Sequence, residues 1–119
     1  MFAYELQRRL TASGSAVTSV AAHPGYAATE LQTKTESFQD RVMAVGNRLL
    51  AQSAELGALP SLYAATVRDL PGGSFVGPDG PMELGGHPKV VGSTKASRDE
   101  AVAASLWEAS EKLTGVSYL

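Results

Sequence analysis

The 119-residue chain contains no cysteine and only two histidines. The first absence excludes disulfides, thiolate-bound zinc, iron–sulfur clusters and a cysteine nucleophile. Two histidines without a His-Glu-x-x-His sequence do not favour a catalytic zinc site, so we expect no metal. No apolar run reaches the roughly 20 residues needed to span a bilayer. The first ten residues also lack the charged-then-apolar order of a signal peptide, so we expect a cytoplasmic chain without a membrane span.

The chain also lacks an excess of positive charge. Its net charge is −2, its pI is near 5.6, and its ten Lys and Arg residues are scattered. Nucleic acid and anionic membranes are therefore not expected as partners. An apolar content of 44% is sufficient for the core of one domain.

Phosphate-binding glycine motifs are missing as well. None of the twelve glycines is followed by another glycine two positions later, so even the first half of Gly-x-Gly-x-x-Gly is absent. A P-loop sequence is absent too. The chain itself therefore contains no recognisable dinucleotide or nucleotide cradle.

The remaining sequence predicts alternating helices and strands. Phe2, Leu6 and Leu10 recur every four positions and predict a helix that ends at Ser13-Gly14. Residues 16–22 are small or β-branched on both faces, which is typical of a buried parallel strand.

Two further helices are predicted, over residues 30–50 and 53–70. Pro60 either opens the main part of the second helix or kinks it. Residues 74–77 predict another strand, which would make the second helix the crossover between two parallel strands. We expect residues 78–95, rich in proline and glycine, to form an ordered loop.

The last predicted helix follows Ser97-Arg98-Asp99-Glu100, a sequence with capping-box spacing between Ser97 and Glu100. Gly115 would close the helix. Its predicted apolar face consists of Val102, Leu106, Ala109 and Leu113.

The segment that begins His23-Pro24-Gly25 follows the first predicted strand directly. Ligands of open α/β sheets bind beyond the carboxyl ends of strands, so this turn is a candidate site. Thr29 would add a hydroxyl near the start of the next helix. The alternative is an ordinary strand-to-helix connection with Thr29 as its N-cap and His23 as a packed or hydrogen-bonding residue.

Several motifs occur in an order that resembles the short-chain dehydrogenase/reductase family, with its retinol-dehydrogenase-like branch as the nearest group. The resemblance spans nearly the whole chain. It rests on the runs at 2–10, 17–25, 29–31, 57–60 with 63–66, 73–80, and 106–107 with 113–115.

This resemblance implies an α/β fold: the C-terminal part of a Rossmann-type doubly wound parallel sheet, of which the chain holds the last two strands with flanking helices. Residues 1–119 would be a single partial domain, incomplete by itself. Residues 30–50 would form the substrate flap, although ordinary core packing explains their apolar stripe equally well.

The resemblance also implies NAD or NADP as cofactor of the intact parent rather than of this chain alone. Pro24, Gly25, Tyr26 and Thr29 would contact the nicotinamide and its carboxamide. The substrate would be an apolar alcohol, aldehyde or ketone.

The family's hydride transfer needs a tyrosine followed four residues later by a lysine, together with a serine. No tyrosine here has that partner, so no catalytic residue is assigned. The pair would lie upstream of Met1, and we expect the lone chain to be inactive. Its helical faces, suited to a larger sheet, favour self-association. Two alternatives remain: a non-catalytic interaction or oligomerisation module, and a small ligand-binding protein that uses the turn after His23.

Overall fold

The computed structural model describes residues 1–26 and 52–117. Thr29 and the helix predicted over residues 30–50 lie outside them. The fold is α/β, as predicted. The elements are α1 (Phe2–Ala12), β1 (Ala21–Ala22), α2 (Ala54–Thr66), β2 (Phe75–Pro78), β3 (Pro88–Val90) and α3 (Glu100–Thr114), with short 3-10 turns at Pro81–Glu83 and Ala96–Arg98.

The chain divides into two compact units. The first contains Met1–Ala21, Arg68–Phe75 and Gly92–Leu119, and the second contains Ala22–Val67 and Val76–Val91. Each unit has its own buried residues: Leu10, Ala103 and Trp107 in the first, and Pro60, Val76 and Pro78 in the second.

In the first unit, α1 packs against α3. The ring of Phe2 stacks on Trp107 with 4.8 Å between centroids. The Arg9 guanidinium lies 4.8 Å from the centre of the same indole ring, within the range of a cation–π interaction. Helix α1 begins and ends where its sequence pattern predicts. It ends there because Gly14 adopts a φ of +71° just beyond it.

Strands β1 and β2 are parallel neighbours. The amide of Ala21 donates to the carbonyl of Ser74 at 3.0 Å, and that of His23 donates to Val76 at 2.9 Å. The residue numbers of the bonded partners rise together in the two strands, which defines a parallel pair. Helix α2 connects the two strands in sequence, so the predicted crossover is confirmed.

The prediction of a buried strand over residues 16–22 is wrong in extent. Only Ala21–Ala22 is strand, and Val17 is 63% exposed. In the described residues, β1 pairs with β2 alone, so its other edge has no strand to bury it. Composition predicted the strand, whereas its length depends on neighbours.

Helix α2 begins after Ser53, whose Oγ accepts from the amide of Leu56 at 3.4 Å. It continues through Pro60, so the proline does not open the helix. Its end was predicted too late: Val67 already has an extended conformation, and the next turn contains Asp69 with a φ of +61°. A non-glycine residue with positive φ cannot continue a right-handed helix.

Strand β2 also pairs antiparallel with β3, so the sheet order is β1-β2-β3. Val76 lies opposite Val90, and Pro78 opposite Pro88. The prediction that residues 78–95 form a loop without regular elements is therefore wrong. Pro88 is tolerated as the first residue of its strand, because a proline there need not donate to the ladder.

Helix α3 is confirmed, but its predicted capping box is wrong. Ser97 lies in the preceding 3-10 turn, where its Oγ donates to the carbonyl of Thr94 at 2.7 Å. The N-cap is Asp99, whose Oδ1 accepts from the amide of Val102 at 3.0 Å. Gly115 closes the helix with a φ of +69°, as predicted.

The predicted inward face of α3 is also wrong. Ala103 and Trp107 are buried, at 1% and 2% exposure, whereas Val102, Leu106 and Leu113 are 51%, 41% and 86% exposed. The tryptophan turns the helix so that its aromatic ring, rather than the aliphatic stripe, faces α1.

Candidate functional site

The segment 23–26, which we call the Pro-Gly turn, lies directly beyond the carboxyl end of β1. Gly25 has a φ of +70°, and a Cβ at this position would lie 2.7 Å from the Leu84 oxygen and 2.7 Å from Pro78 Cγ. Only glycine combines this conformation with such close approach. The turn is therefore shaped by the loop formed by residues 79–87, the 79–87 loop.

A hydrogen bond between two side chains joins the turn to this loop. His23 Nε2 lies 2.9 Å from Glu83 Oε2. The amide of Gly25 donates to His23 Nδ1 at 3.3 Å, so in the neutral ring the proton belongs on Nε2 and points to the carboxylate. His23 thus has the hydrogen-bonding role that the sequence favoured over a ligand role.

Both backbone groups of Tyr26 are engaged. Its amide donates to the carbonyl of Leu84 at 2.7 Å, and its carbonyl accepts from the amide of Gln52 at 3.0 Å. An amide has one proton, whereas a carbonyl oxygen has two lone pairs. The carbonyl of Tyr26 therefore has the capacity to accept more than one hydrogen bond, whereas its amide has no second proton to donate.

The side chain of Gln52 makes a second connection. Its Nε2 donates to the carbonyl of Pro24, and its Oε1 accepts from the amide of Gly86 at 3.1 Å. The primary amide thus bridges the Pro-Gly turn and the 79–87 loop.

The 79–87 loop is itself cross-linked. The amide of Gly80 donates to Gly85 at 2.9 Å, and the amide of His87 donates to Asp79 Oδ1 at 2.8 Å. Glu83, the partner of His23, has a φ of +56°, which few non-glycine residues adopt. The loop's own bonds hold Glu83 in this conformation.

The structure brings three of the four predicted site residues together in one turn: Pro24, Gly25 and Tyr26. The fourth, Thr29, lies outside the described residues. A nicotinamide carboxamide carries both a donor and an acceptor. Of the two Tyr26 backbone groups, the carbonyl matches the polarity of the carboxamide NH2, whereas the amide already donates to Leu84.

The phenol of Tyr4 is hydrogen-bonded within the first unit. Its hydroxyl donates to Ser93 Oγ at 2.8 Å. Arg8, four residues later, is bonded to Glu5 at 2.6 Å. The arginine is therefore paired with a carboxylate of its own helix.

Sequence reasoning missed Gln52, Glu83 and Gly86. These residues lie far from the turn in sequence, in segments with no recognisable motif. Glu83 and Gly86 lie within residues 78–95, for which the sequence predicted only an ordered loop. Their roles depend on which loop packs beside β1, and no local pattern encodes that.

Among the helices of the described residues, none combines the length and apolar character needed to cross a membrane.

A turn beyond a parallel strand, joined by a helical crossover to the next strand, is the arrangement found at ligand sites of open α/β proteins. No protein-family profile matches the chain. It is 37% identical to human (Homo sapiens) retinol dehydrogenase 13 and 36% identical to the mouse (Mus musculus) protein, over 98% of this chain in both cases. A solved structure of an uncharacterized protein from Mycobacterium paratuberculosis is similar over 99% of the chain, with 42% identity and a TM-score of 0.71.

These similarities confirm the resemblance carried by the motifs: over nearly its whole length the chain is similar to part of a retinol dehydrogenase of the short-chain dehydrogenase/reductase family. It spans about a third of its relatives, 34% of either retinol dehydrogenase and 36% of the mycobacterial chain. That coverage is consistent with the predicted C-terminal portion of such an oxidoreductase.

Proposed function

We propose that the chain forms the C-terminal part of an NAD- or NADP-dependent short-chain oxidoreductase with a Rossmann-type sheet, and that the Pro-Gly turn contacts the nicotinamide. The observation that carries this proposal is the placement of Pro24, Gly25 and Tyr26 beyond a parallel strand, in a chain related to retinol dehydrogenases.

In this proposal the residues of the turn bind and orient but do not react. The Tyr26 carbonyl would accept from the carboxamide NH2, and Thr29 would add its hydroxyl. The His23–Glu83 pair, at 2.9 Å, keeps the turn rigid. The nicotinamide, when bound, supplies or accepts a hydride, and orienting its ring lowers the entropic part of the barrier.

NMR titration of the 119-residue chain tests the binding role. We expect NADH and NADPH to shift the amide signals of Gly25 and Tyr26 weakly but saturably, with a Kd on the order of 1 mM, because most dinucleotide contacts are missing. Adenosine monophosphate, which lacks nicotinamide, is the control and should leave these signals in place. Absence of any shift at the turn would contradict the proposal.

The substrate is proposed to be an apolar alcohol, aldehyde or ketone. The relatives' name, retinol dehydrogenase, supports an apolar alcohol, and residues 30–50 are the proposed flap. Because the chain has no Tyr-x-x-x-Lys pair, we expect no oxidation of retinol with NAD or NADP. Spectrophotometric detection of retinal above the enzyme-free control would contradict this.

We further propose that the chain acts in the cytoplasm and self-associates. The exposed aliphatic side chains of α3 support self-association. This second role is compatible with the first, since an incomplete sheet leaves helical faces uncovered.

A further inference from the structure

We propose that Gln52 is a positioning residue for the nicotinamide: its side chain sets the orientation of the Pro-Gly turn by bridging it to the 79–87 loop. The inference rests on the proposed function, because the turn is taken as the nicotinamide contact. Gln52 belongs to none of the motifs that indicated the family, and its role follows only from the geometry.

The polarity of the bridge fixes the orientation of the side-chain amide. Gly86 offers an N–H, which can only donate, and Pro24 offers a carbonyl, which can only accept. The Oε1 atom must therefore face Gly86 and the Nε2 atom must face Pro24. No other uncharged side chain of this length supplies both a donor and an acceptor at its end.

The bridge acts on the atoms proposed to meet the cofactor. Its Pro24 end fixes the peptide between Pro24 and Gly25, whose orientation sets the path of the chain into Tyr26. The backbone amide of Gln52 also donates to the Tyr26 carbonyl at 3.0 Å, which fixes the direction of that carbonyl. Gln52 thus holds both the turn and the acceptor that is proposed to meet the carboxamide.

Side-chain variants separate the two ends of the bridge. Gln52→Leu removes both hydrogen bonds at nearly constant volume, while the backbone bond to Tyr26 stays. Gln52→Glu keeps an acceptor for Gly86 but presents a carboxylate to the Pro24 carbonyl. We would measure amide hydrogen exchange of Tyr26 and Gly86, and the shift of the Gly25 signal on addition of NADH.

In Gln52→Leu we expect exchange of the Gly86 and Tyr26 amides to accelerate roughly tenfold, as for loss of about one hydrogen bond's free energy. Faster exchange at Tyr26 would show that the Gln52 side chain orients the turn, because the acceptor of the Tyr26 amide, the Leu84 carbonyl, is not changed by the substitution. In Gln52→Glu, protection of Gly86 should be retained. Both variants should lose the Gly25 response to NADH, since a purely structural bond to Gly86 would be rescued by glutamate.

Gln7 supplies the matched control. Its Oε1 accepts from the amide of Ser19 at 2.7 Å, and its Nε2 donates to Thr11 Oγ1 at 3.1 Å. Gln7→Leu and Gln7→Glu make the same chemical changes elsewhere and should leave the turn's exchange and NADH response intact.

The outcomes separate this inference from the proposed function. If the wild-type chain shows no NADH response, the proposed function fails, and the exchange rate of Tyr26 alone decides whether Gln52 orients the turn. Unchanged exchange of Tyr26 in Gln52→Leu overturns the inference. A full NADH response in both Gln52 variants overturns it as well.

Discussion

Gly25 shows how a single residue determines the shape of the site. At a φ of +70° an added Cβ would lie 2.7 Å from the Leu84 oxygen and 2.8 Å from the Glu83 oxygen. Both are backbone atoms, which cannot rotate away. We expect Gly25→Ala to lower the free energy of unfolding by about 2–4 kcal/mol, the sum of left-handed strain and overpacking. Urea denaturation at equal chain concentration measures this.

Gly14→Ala is the control for the conformational part alone. Gly14 has a φ of +71°, but nothing lies within 4 Å of the position that an added Cβ would take. Only the left-handed strain remains, so the expected loss is about 1 kcal/mol. Equal losses of unfolding free energy in Gly25→Ala and Gly14→Ala would mean that close packing of the 79–87 loop against the turn adds no cost.

Glu5 is a second residue whose surroundings determine its behaviour. It is 6% exposed and accepts hydrogen bonds from Arg8 at 2.6 Å and from Arg9 at 2.8 Å. Burial alone would raise the pKa of Glu5, but the hydrogen bonds and charges of Arg8 and Arg9 hold this pKa below its ordinary value of 4.5.

The direction of this pKa shift predicts a dependence of stability on pH. Since the folded-state pKa lies below the unfolded-state value, the unfolded chain binds more protons between them. The stabilisation is complete above about pH 4.5 and is lost as the pH falls through the folded-state pKa. We expect Glu5→Gln to destabilise the chain by about 1–3 kcal/mol at pH 7.

The comparison of wild type and Glu5→Gln over pH isolates the contribution of Glu5, because all other carboxylates are common to both. The difference in unfolding free energy between wild type and Glu5→Gln should decrease as the pH is lowered. A constant difference down to the pH at which wild type unfolds would contradict the prediction.

At this scale the sequence indicated part of the candidate site, and the cofactor contact of these residues stays a prediction. Pro24, Gly25 and Tyr26 form a contiguous motif, and contiguous motifs can be recognised without coordinates. Gln52, Glu83 and Gly86 could not be predicted, because each acts through a hydrogen bond to a residue distant in sequence.

At the scale of elements, the sequence predicted where two helices lie but not which face of α3 is buried. Periodicity predicted α1 and α3 and their glycine stops, since backbone geometry at a helix end is a local property. It did not predict which face of α3 turns inward, because two apolar stripes compete on that helix. The Trp107 ring, stacked 4.8 Å from Phe2, decides between them only after α1 packs beside it.

The start of α3 gives a test at the same scale. Asp99 caps the helix, so Asp99→Ala should cost about 0.5–2 kcal/mol and reduce the helical circular dichroism signal. Ser97→Ala is the matched control. It removes a hydroxyl that bonds to Thr94 rather than to the helix and should cost less. A larger loss of stability for Ser97→Ala than for Asp99→Ala would mean that Ser97, not Asp99, caps the helix.

At the scale of the whole molecule, the sheet limits what the chain can do alone. The described residues form three short strands, of which β1 has two residues and β3 three. Small sheets are marginal without further strands or covering helices. That further strands belong to this sheet stays a prediction from the family resemblance, since no composition or periodicity reveals how many strands a complete sheet needs.

Self-association is the consequence that we expect of this incomplete coverage. Val102, Leu106 and Leu113 are exposed along α3, and burial of each large aliphatic side chain is worth about 1.5–3 kcal/mol. The double variant Val102→Lys, Leu106→Lys should therefore weaken association, as measured by sedimentation equilibrium over a range of concentrations. Glu108→Lys makes the same change in charge at another exposed position of α3 and should have less effect. A wild-type chain that stays monomeric at every concentration, or a control as disruptive as the double variant, would show that this face does not drive association.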